Sequence, residues 1–324
     1  MRAFVHFLAV AALLLSACAH TGRVDVVVDH DGDPDDLIAF SLLIKSGATR
    51  IHTIAVCPGD SYVDPATRAT QLFVDQLGGH GISIAKGHSA GTNPFPDEWR
   101  KQAADVLSIR ALAGKDPTNR NPVSSDDAAH HLAAVLSKGR FVVLETGPLT
   151  NIADALKIDP SIKRNITRMY VMGGAVRVAG NVEQKGHDGS AEWNFFNNPQ
   201  AAADVVQSGI PITLVALDAT NHVPLTKRFV DQLAKQPSVA SQLAAQAWGL
   251  VLSVDGYYLW DTLTAAALLD RSVVTIQTMH IRVLTDGPSQ GRTIEDPNGA
   301  PIEVAVSADQ QRVEKMFLDI LGRD

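Results

Sequence analysis

The chain is poor in cysteine, in aromatic residues and in positive charge. It has two cysteines, Cys18 and Cys57, in 324 residues, and its 28 Lys and Arg are outnumbered by 35 Asp and Glu. The scattered basic residues and the net charge of −7 lack the electrostatic footprint of a nucleic-acid-binding protein, so no nucleic-acid partner is expected. With aromatic residues at only 6% of the chain, any cluster of them is informative about function.

Long apolar runs are also scarce, and the one at the N-terminus predicts export. Arg2 gives a weak positive start, and the apolar segment from Phe4 to Leu15 is too short to cross a bilayer. Its ending, Leu15-Ser16-Ala17-Cys18, resembles a bacterial lipobox, in which the cysteine becomes the lipidated first residue. We interpret residues 1–18 as a signal peptide with a lipobox and residues 19–324 as the mature domain. The alternative is an ordinary signal peptide cleaved near Ala19.

Lipidation at Cys18 would make the protein a periplasm-facing lipoprotein that meets the membrane only through its anchor. The outer membrane is preferred, because Ala19 is not the Asp associated with inner-membrane retention. Cys57 would then be the only cysteine left, which excludes an intrachain disulfide. It ends an apolar run and is interpreted as a small buried residue rather than a nucleophile.

The remaining pattern predicts a single α/β domain. Short β-branched runs that are apolar throughout alternate with longer helical patterns, which is typical of parallel strands buried on both faces. This rhythm favours a doubly wound, mostly parallel sheet flanked by helices. The predicted strands are 24–28, 51–56, 141–144, 167–172, 212–217, 275–284 and 302–306. The predicted helices are 35–46, 65–77, 126–137, 149–157, 199–207, 225–235, 239–254, 261–269 and 308–321, with a long excursion at 92–118.

The densest chemical signal is the acidic octapeptide, Asp29-His30-Asp31-Gly32-Asp33-Pro34-Asp35-Asp36. It follows the first predicted strand and opens the first predicted helix. Five carboxylates in eight residues repel one another unless a cation or a set of backbone N–H groups holds them. Open α/β sheets bind ligands at the carboxyl ends of their strands. The octapeptide therefore predicts a site for a hard cation at that edge.

Three further stretches combine polar groups with turn residues, and each has a simpler structural interpretation. Thr146–Asn151 could be an ordinary strand-to-helix turn. In Ala191–Pro199, Asn197 and Asn198 are simply explained as a helix start before a proline. In Asp255–Thr262, a helix cap at Asp261 is as reasonable as metal ligation.

Taken together, these stretches resemble the nucleoside hydrolases, metal-dependent N-ribohydrolases that open with a D-x-D-x-x-x-D-D motif. The resemblance runs from Val24 to the end of the chain and follows the family's order. Five elements carry it: Asp29-His30-Asp31…Asp35-Asp36, Thr146-Gly147-Pro148-Leu149-Thr150-Asn151, Met172-Gly173-Gly174-Ala175, Glu192-Trp193-Asn194 and Trp260-Asp261.

The chain is most similar to the purine-specific branch, which prefers inosine, adenosine and guanosine. Three segments carry this similarity: Asp29-His30-Asp31-Gly32, Asn93-Pro94-Phe95-Pro96-Asp97-Glu98-Trp99-Arg100 and Asp255-Gly256-Tyr257-Tyr258…Trp260-Asp261. In the pyrimidine-tolerant branch a histidine that is thought to protonate the leaving base stands where this chain has Trp260. The resemblance implies a purine ribonucleoside substrate, and family members suggest a homodimer.

The resemblance also implies the role of each site residue. A Ca²⁺ ion would be held by Asp31, Asp36, the carbonyl oxygen of Thr146, and Asp261, and Asp31 would be the general base. The ribose hydroxyls would be bound by Asp35, Asn181, Glu192 and Asn194. The base would stack between Trp99 and Trp260 and contact Asp60, although Asp60 could equally be a turn residue after Gly59.

Two residues and two alternative functions stay open at this point. Asp33 stands where the purine branch usually has Asn, and it could cap the helix or contact the ligand. His187 could be a proton donor, although a loop histidine on the surface is the more natural interpretation. An EF-hand-like calcium-binding lipoprotein fails its template, because Pro34 and Phe40 occupy the sixth and twelfth positions. A non-catalytic nucleoside-binding lipoprotein would not need the metal-binding and sugar-binding residues that this chain retains, which are Asp31, Asp36, Glu192, Asn194 and Asp261.

Overall fold

Strands and helices alternate along the part of the chain that the computed structural model describes, residues 22–323, as the sequence predicts. The predicted lipidation site, Cys18, lies outside these residues. The strands are β1 Val24–His30, β2 Thr49–Val56, β3 Ser83–Lys86, β4 Val123–Asp127, β5 Phe141–Glu145, β6 Ile166–Met172, β7 Ile212–Val215, β8 Val274–Val283, β9 Thr293–Glu295 and β10 Ala300–Ala308. The helices are α1 Pro34–Ser46, α2 Val63–Gln76, α3 Gln102–Val106, α4 Ala128–Leu136, α5 Thr150–Ile158, α6 Trp193–Asn197, α7 Pro199–Val206, α8 Leu217–Thr220, α9 Lys227–Ala234, α10 Val239–Val251, α11 Trp260–Leu269 and α12 Gln310–Leu321.

The strands form one sheet in the order β4-β3-β2-β1-β5-β6-β7-β10-β8-β9. Neighbouring strands from β4 to β10 are parallel, whereas β8 and β9 form an antiparallel edge. The chain winds from β1 out to β4 and then returns to place β5 on the other side of β1. This reversal creates a crevice at the carboxyl ends of β1 and β5, which is where ligands bind in open α/β sheets.

Helices cover both faces of the sheet, which confirms the predicted doubly wound α/β class. The buried strand residues alternate between the two layers: Val26 and Val28 of β1 join the larger core with α1, α2 and α9 to α12, whereas Val27 joins the core with α4, α5 and α7. Because both faces are covered, the central strands carry apolar side chains on each side and read as continuous apolar runs.

Helix α1, Pro34–Ser46, begins one residue before the predicted helix 35–46 and ends at the predicted residue. Asp33 is the N-cap and Pro34 occupies the first turn, while Gly47 closes the helix with a positive φ of 68°. The Asp33 carboxylate accepts a hydrogen bond from the backbone N–H of Asp35, and the Asp36 carboxylate accepts one from that of Asp33. The acidic octapeptide is thereby a capping box as well as a candidate ligand site.

The structure differs from the predicted elements at β3 and β4, which the sequence pattern did not reveal. These strands are four and five residues long and include Ser83, Ser124 and Asp126, so neither shows an apolar run. The predicted excursion at 92–118 contains a 3₁₀ turn, Trp99–Lys101, and the short helix α3. Within residues 22–323, no helix has the length and apolar character that crossing a membrane requires.

Candidate active site

A cavity of about 460 Å³ opens at the crevice formed by β1 and β5. It contains most of the predicted site residues, although these come from distant parts of the chain. The predicted residues in its lining are Asp31, Asp60, Trp99, Thr146, Asn181, Glu192, Asn194, Trp260 and Asp261. Two predicted residues, Asp35 and Asp36, are not in the lining.

Asp31 stands at the end of β1 and is 3% exposed. Its Oδ2 accepts a hydrogen bond of 2.7 Å from the backbone N–H of Asp60. Gly59 permits this close approach, because a Cβ atom there would overlap the Asp31 carboxylate. Burial, followed by the charges of Asp36 and Asp60, raises the pKa of Asp31 well above its ordinary value. A nearby cation would reverse this shift and keep the carboxylate ionised.

Asp36 lies directly behind the cavity lining. Its Oδ2 accepts hydrogen bonds from the backbone N–H groups of Gly32 and Asp33 at 2.8 and 3.0 Å, and its Oδ1 accepts one from the Thr146 hydroxyl at 2.5 Å. Burial alone would raise the pKa of Asp36, but hydrogen bonding and charge from His30 outweigh burial and lower it. Asp36 is thus held ionised next to the Thr146 residue with which it is predicted to share a metal ion.

Asp35 does not line the cavity, although it is predicted to bind the ribose hydroxyls. Its Oδ1 accepts hydrogen bonds from the Trp248 indole at 3.0 Å and from the Thr262 hydroxyl at 2.9 Å. Its Oδ2 accepts from the backbone N–H groups of Asp261 and Thr262 at 2.7 and 3.1 Å. Asp35 therefore caps the N-terminus of α11, whose own N-cap residue, Leu259, supplies no side-chain cap.

Asp261 and Thr146 line the cavity opposite Asp31. Asp261 is 5% exposed, and no donor within residues 22–323 hydrogen-bonds to its carboxylate oxygens. Burial, followed by the charges of Asp36 and Asp35, raises the pKa of Asp261 well above its ordinary value. An unpartnered buried carboxylate is costly unless a cation or a proton accompanies it. Hence the Asp261 carboxylate is suited to binding a metal ion.

These residues fit the oxygen ligands that a hard cation such as Ca²⁺ requires. Asp31 and Asp261 supply carboxylates at the cavity surface, and Thr146 supplies a carbonyl oxygen at the end of β5. Among residues 22–323, no group of three or more His, Cys, Asp or Glu side chains is arranged so that it could by itself hold a metal ion.

Buried amides and a carboxylate line the next part of the cavity. Glu192 caps α6 through hydrogen bonds from the backbone N–H groups of Asn194 and Gly174 at 2.9 and 3.0 Å. Burial raises the pKa of Glu192 to about 7, against the effect of these donors. The Asn194 amide donates to the Thr146 carbonyl oxygen at 3.1 Å, and Asn181 accepts from the Trp193 backbone. Groups fixed in this way are suited to binding sugar hydroxyls.

Two groups of aromatic residues stand on the cavity wall. Trp99 packs with Phe95 and Trp193, with ring centroids 6.4 and 5.3 Å away. Trp260 packs with Tyr257 at 4.7 Å. The two predicted stacking residues, Trp99 and Trp260, thus belong to separate groups in one cavity, an arrangement that can hold a planar base.

Asp33 proves to be both a helix cap and a cavity residue. Its Oδ1 accepts a hydrogen bond of 2.6 Å from the Tyr257 hydroxyl. Burial, followed by the charge of Asp36, raises the pKa of Asp33 to about 6. The Gln102 amide donates to Asp60 Oδ2 at 2.9 Å. Sequence reasoning did not assign Gln102, because a single glutamine after an aromatic segment has no distinctive spacing.

His187 is excluded as a proton donor by its hydrogen bonds. Its Nδ1 accepts from the backbone N–H of Gly189 at 3.0 Å, so its Nε2 carries the hydrogen and donates to the Gln290 carbonyl oxygen at 3.0 Å. It also packs against Phe196 and does not line the cavity. The surface-loop interpretation of His187 is therefore close to the observed role.

Beneath the site, Asp29 faces a buried residue that the sequence did not single out, Glu145. The two are register partners on β1 and β5. Asp29 accepts a hydrogen bond of 2.9 Å from the Asn151 amide, and burial raises its pKa to about 7. Cys57 lies beside them, fully buried, and burial raises the pKa of its thiol well above the ordinary value. This confirms Cys57 as a buried residue without nucleophilic character.

Comparisons with known proteins agree with this site. A family model described as inosine-uridine preferring nucleoside hydrolase matches residues 26–315. The structure of an inosine-uridine preferring nucleoside hydrolase from Bacillus anthracis has a TM-score of 0.87 and 37% identity, covering 93% of this chain and 99% of that one. A purine-preferring ribonucleoside hydrolase from Gardnerella vaginalis has a TM-score of 0.77 and 26% identity, covering 92% and 98%.

Two relatives that are similar in sequence are named for activity on uridine or on pyrimidine nucleosides. A probable uridine nucleosidase 2 from Arabidopsis thaliana is 26% identical over 322 residues, which cover 92% of this chain and 98% of the relative. The pyrimidine-specific ribonucleoside hydrolase RihB of Escherichia coli (strain SE11) is 26% identical, covering 85% and 88%.

The fold and the carboxylate-lined cavity define an enzyme that hydrolyses N-glycosidic bonds, an N-ribohydrolase. The chain belongs to the nucleoside hydrolase family, and a nucleoside is its substrate. Enzymes of this family generally depend on a metal ion.

Proposed function

We propose that this enzyme hydrolyses purine ribonucleosides to the free base and ribose and that it depends on Ca²⁺. The observation that supports purine selectivity is Trp260 at the start of α11, which lines the same cavity as Trp99 but belongs to a separate aromatic group. Two indoles offer a flat apolar slot to a bicyclic base. No histidine lines the cavity within residues 22–323, so a small base has no imidazole to protonate it as it leaves.

In the proposed site, Asp31, Asp36, the Thr146 carbonyl oxygen and Asp261 hold the metal ion. When bound, Ca²⁺ orients the ribose diol and lowers the pKa of a coordinated water. Asp31 then removes a proton from the attacking water, because its carboxylate lies at the cavity surface between β1 and the Asp60 turn. Asp29, at the end of β1 two residues before Asp31, accepts a hydrogen bond from the Asn151 amide and is proposed to support the loop that follows.

Glu192, Asn194 and Asn181 are proposed to bind the ribose hydroxyls. All three side chains are fixed by backbone or amide hydrogen bonds, so they meet the sugar without rearrangement. Asp35 is assigned a different role from the one predicted. It holds the main chain of Asp261 through α11 and reaches the substrate only indirectly.

The leaving base is proposed to stack between Trp99 and Trp260, which stabilises positive charge on its ring. Such stacking contributes about 0.5–2 kcal/mol, which is small beside the barrier of glycosidic cleavage. Asp60 also lines the cavity, so its carboxyl is the group proposed to assist departure of the base.

The test is release of ribose from guanosine, inosine and uridine by the protein lacking residues 1–18, with Ca²⁺ or with excess chelator. Ca²⁺-dependent release from the two purine nucleosides, with little from uridine, is expected. Cleavage of uridine at a similar rate would overturn purine selectivity and would agree with the pyrimidine-named relatives. Nucleoside binding without ribose release would overturn the enzymatic proposal.

We further propose that the full chain is a periplasm-facing lipoprotein anchored through Cys18 in the outer membrane, and that it forms a homodimer. The support is the lipobox at residues 15–18 and, for the dimer, the family resemblance. Labelling with a radioactive fatty acid should mark the wild type and spare Cys18→Ser. Light scattering of the protein lacking residues 1–18 should give twice the chain mass, and a monomer mass would overturn the dimer.

A further inference from the structure

The cavity is strongly acidic. Within residues 22–323, no Lys, Arg or His lines it, whereas eight carboxylic acids do: Asp31, Asp33, Asp60, Glu98, Asp105, Glu192, Asp255 and Asp261. A divalent cation held by Asp31 and Asp261 would offset only part of this charge. A cleft lined by charge of one sign concentrates ligands of the opposite sign. The lining therefore disfavours phosphorylated nucleosides and favours cationic ones.

Burial divides the lining into two parts. The floor consists of buried residues: Asp31, Thr146, Glu192, Asn194 and Asp261. The mouth consists of exposed residues: Glu98, Trp99, Asp105, Leu250, Val254 and Asp255. If the floor binds the metal and the ribose, the base lies toward the mouth.

The mouth combines carboxylates with an accessible indole. Trp99 is 39% exposed and follows Glu98 directly, while Asp105 is on the same segment and Asp255 is on the opposite rim. An indole face and nearby carboxylates recognise an organic cation, since the ring quadrupole and the charges both attract it. A neutral base would be attracted by the indole ring but not by the carboxylate charges.

A second, independent observation concerns proton donors beside the base. The Tyr257 hydroxyl donates to Asp33, the Gln102 amide donates to Asp60, and the Trp193 indole donates to the Asn181 carbonyl oxygen. The Oδ1 of Asp60 is buried and has no hydrogen-bond partner among the described residues. A neutral purine must acquire a proton as it leaves, whereas a base with a fixed charge needs none.

We infer that this site selects ribonucleosides whose base carries a fixed positive charge, such as N7-alkylated purine ribonucleosides. The inference rests on the proposed function and names its preferred substrate class. As the C1′–N9 bond breaks, its electron pair passes to the base and cancels the positive charge. The water oxygen bonds to C1′, and its proton passes to Asp31. The products are neutral base and ribose, with no oxidant, reductant or further reactant.

The first test compares 7-methylguanosine with guanosine at about pH 6, since the two differ by one methyl group and one charge. The quantity measured is the ratio of their kcat/KM values at low and high ionic strength. Raising the salt from about 0.02 to about 0.5 M should lower this ratio at least threefold, because the Debye length shrinks below the dimensions of the mouth. The methylated base is intrinsically the more labile, but that lability does not depend on salt in this way. A ratio that salt leaves unchanged would overturn the inference.

The second test uses the double variant Glu98→Gln/Asp105→Asn, which removes two mouth charges and preserves side-chain size. It should lower the same ratio about threefold or more at low salt. Asp319→Asn is the matched control, because Asp319 is an exposed acid on α12, paired with Lys315 and away from the cavity. An equal ratio in the double variant and the control would overturn the inference.

Failure of the inference is distinguishable from failure of the proposed function. Absence of ribose release from guanosine, inosine and 7-methylguanosine with Ca²⁺ present would overturn both the proposed function and the inference. Cleavage of guanosine, together with a ratio indifferent to salt and to the mouth variant, would remove only the preference for charged bases.

Discussion

The floor and the mouth of the cavity are built in different ways. Floor residues follow the ends of β1 and β5 or lie at a helix start. Backbone groups fix two of them: Asp31 by the N–H group of Asp60, and Glu192 by those of Gly174 and Asn194. Mouth residues come from a 3₁₀ turn, the short helix α3 and the end of α10, and they are exposed. The floor is suited to fixed chemistry and the mouth to variable recognition.

The largest expected effect comes from the floor. Asp31→Ala should lower kcat by about 10³-fold or more, because it removes the proposed general base together with a metal ligand. The measurement is ribose release from inosine at saturating Ca²⁺. Circular dichroism should show an intact fold. Residual turnover within about tenfold of wild type would contradict the assigned role of Asp31.

A change at the aromatic wall of the cavity should act on the base without disturbing the metal. Trp260→Ala should lower kcat/KM for guanosine by about 10–30-fold, since it removes stacking on the leaving base. Ca²⁺ affinity, measured by calorimetry, should stay within about twofold of wild type. A large loss of Ca²⁺ affinity would show that the two parts of the cavity are not separable at α11.

A smaller effect, on Ca²⁺ affinity, is expected from the hydrogen bonds that connect Trp248 of α10 with Asp35 and the backbone of Asp261. Trp248→Phe keeps an aromatic ring but removes the indole hydrogen bond to Asp35, which holds the Asp261 backbone. Loss of one hydrogen bond to a charged group should weaken Ca²⁺ binding by about 5–10-fold. Phe317→Leu is the matched control, because Phe317 packs on Trp248 without contacting Asp35. Equal weakening in both variants would point to general loosening of the core.

The smallest expected effect is a pH dependence of thermal stability. Burial raises the pKa values of Asp29 and Glu192 to about 7 and that of Asp35 to about 8, above their unfolded values. The folded, metal-free protein therefore binds more protons than the unfolded chain between about pH 4 and 8, so its stability falls as the pH rises through this window. Calorimetry with chelator should show Tm falling by a few degrees across it.

Ca²⁺ should oppose this loss. Binding requires ionised carboxylates, so the increase in Tm on adding Ca²⁺ should be larger at about pH 8 than at about pH 5.5. An increase that is larger at the acidic end would contradict the assignment of buried carboxylates as metal ligands. Mg²⁺, which demands stricter geometry, should give a smaller increase than Ca²⁺.

Much of the fold and of the floor follows from sequence, because both depend on short-range patterns. The apolar runs of β1, β2 and β5 predict buried parallel strands, and Asp33, Pro34 and Gly47 predict the limits of α1. The strands β3 and β4 escape prediction because they are short and partly polar. The residues of the mouth are harder to predict. Gln102 and Asp105 have no spacing that distinguishes them from ordinary polar residues on an exposed helix.

By itself the sequence determines the doubly wound α/β class, the family and the placement of the acidic octapeptide at a strand end. Each depends on residues that are neighbours in the chain or that repeat with a fixed period. Only the tertiary structure separates the roles within the octapeptide. It turns Asp35 toward Trp248 and α11, and it brings Asp33 beside Tyr257 and Asp60. These partners lie up to 227 residues away, and a side chain's partner at such a distance depends on how the helices pack.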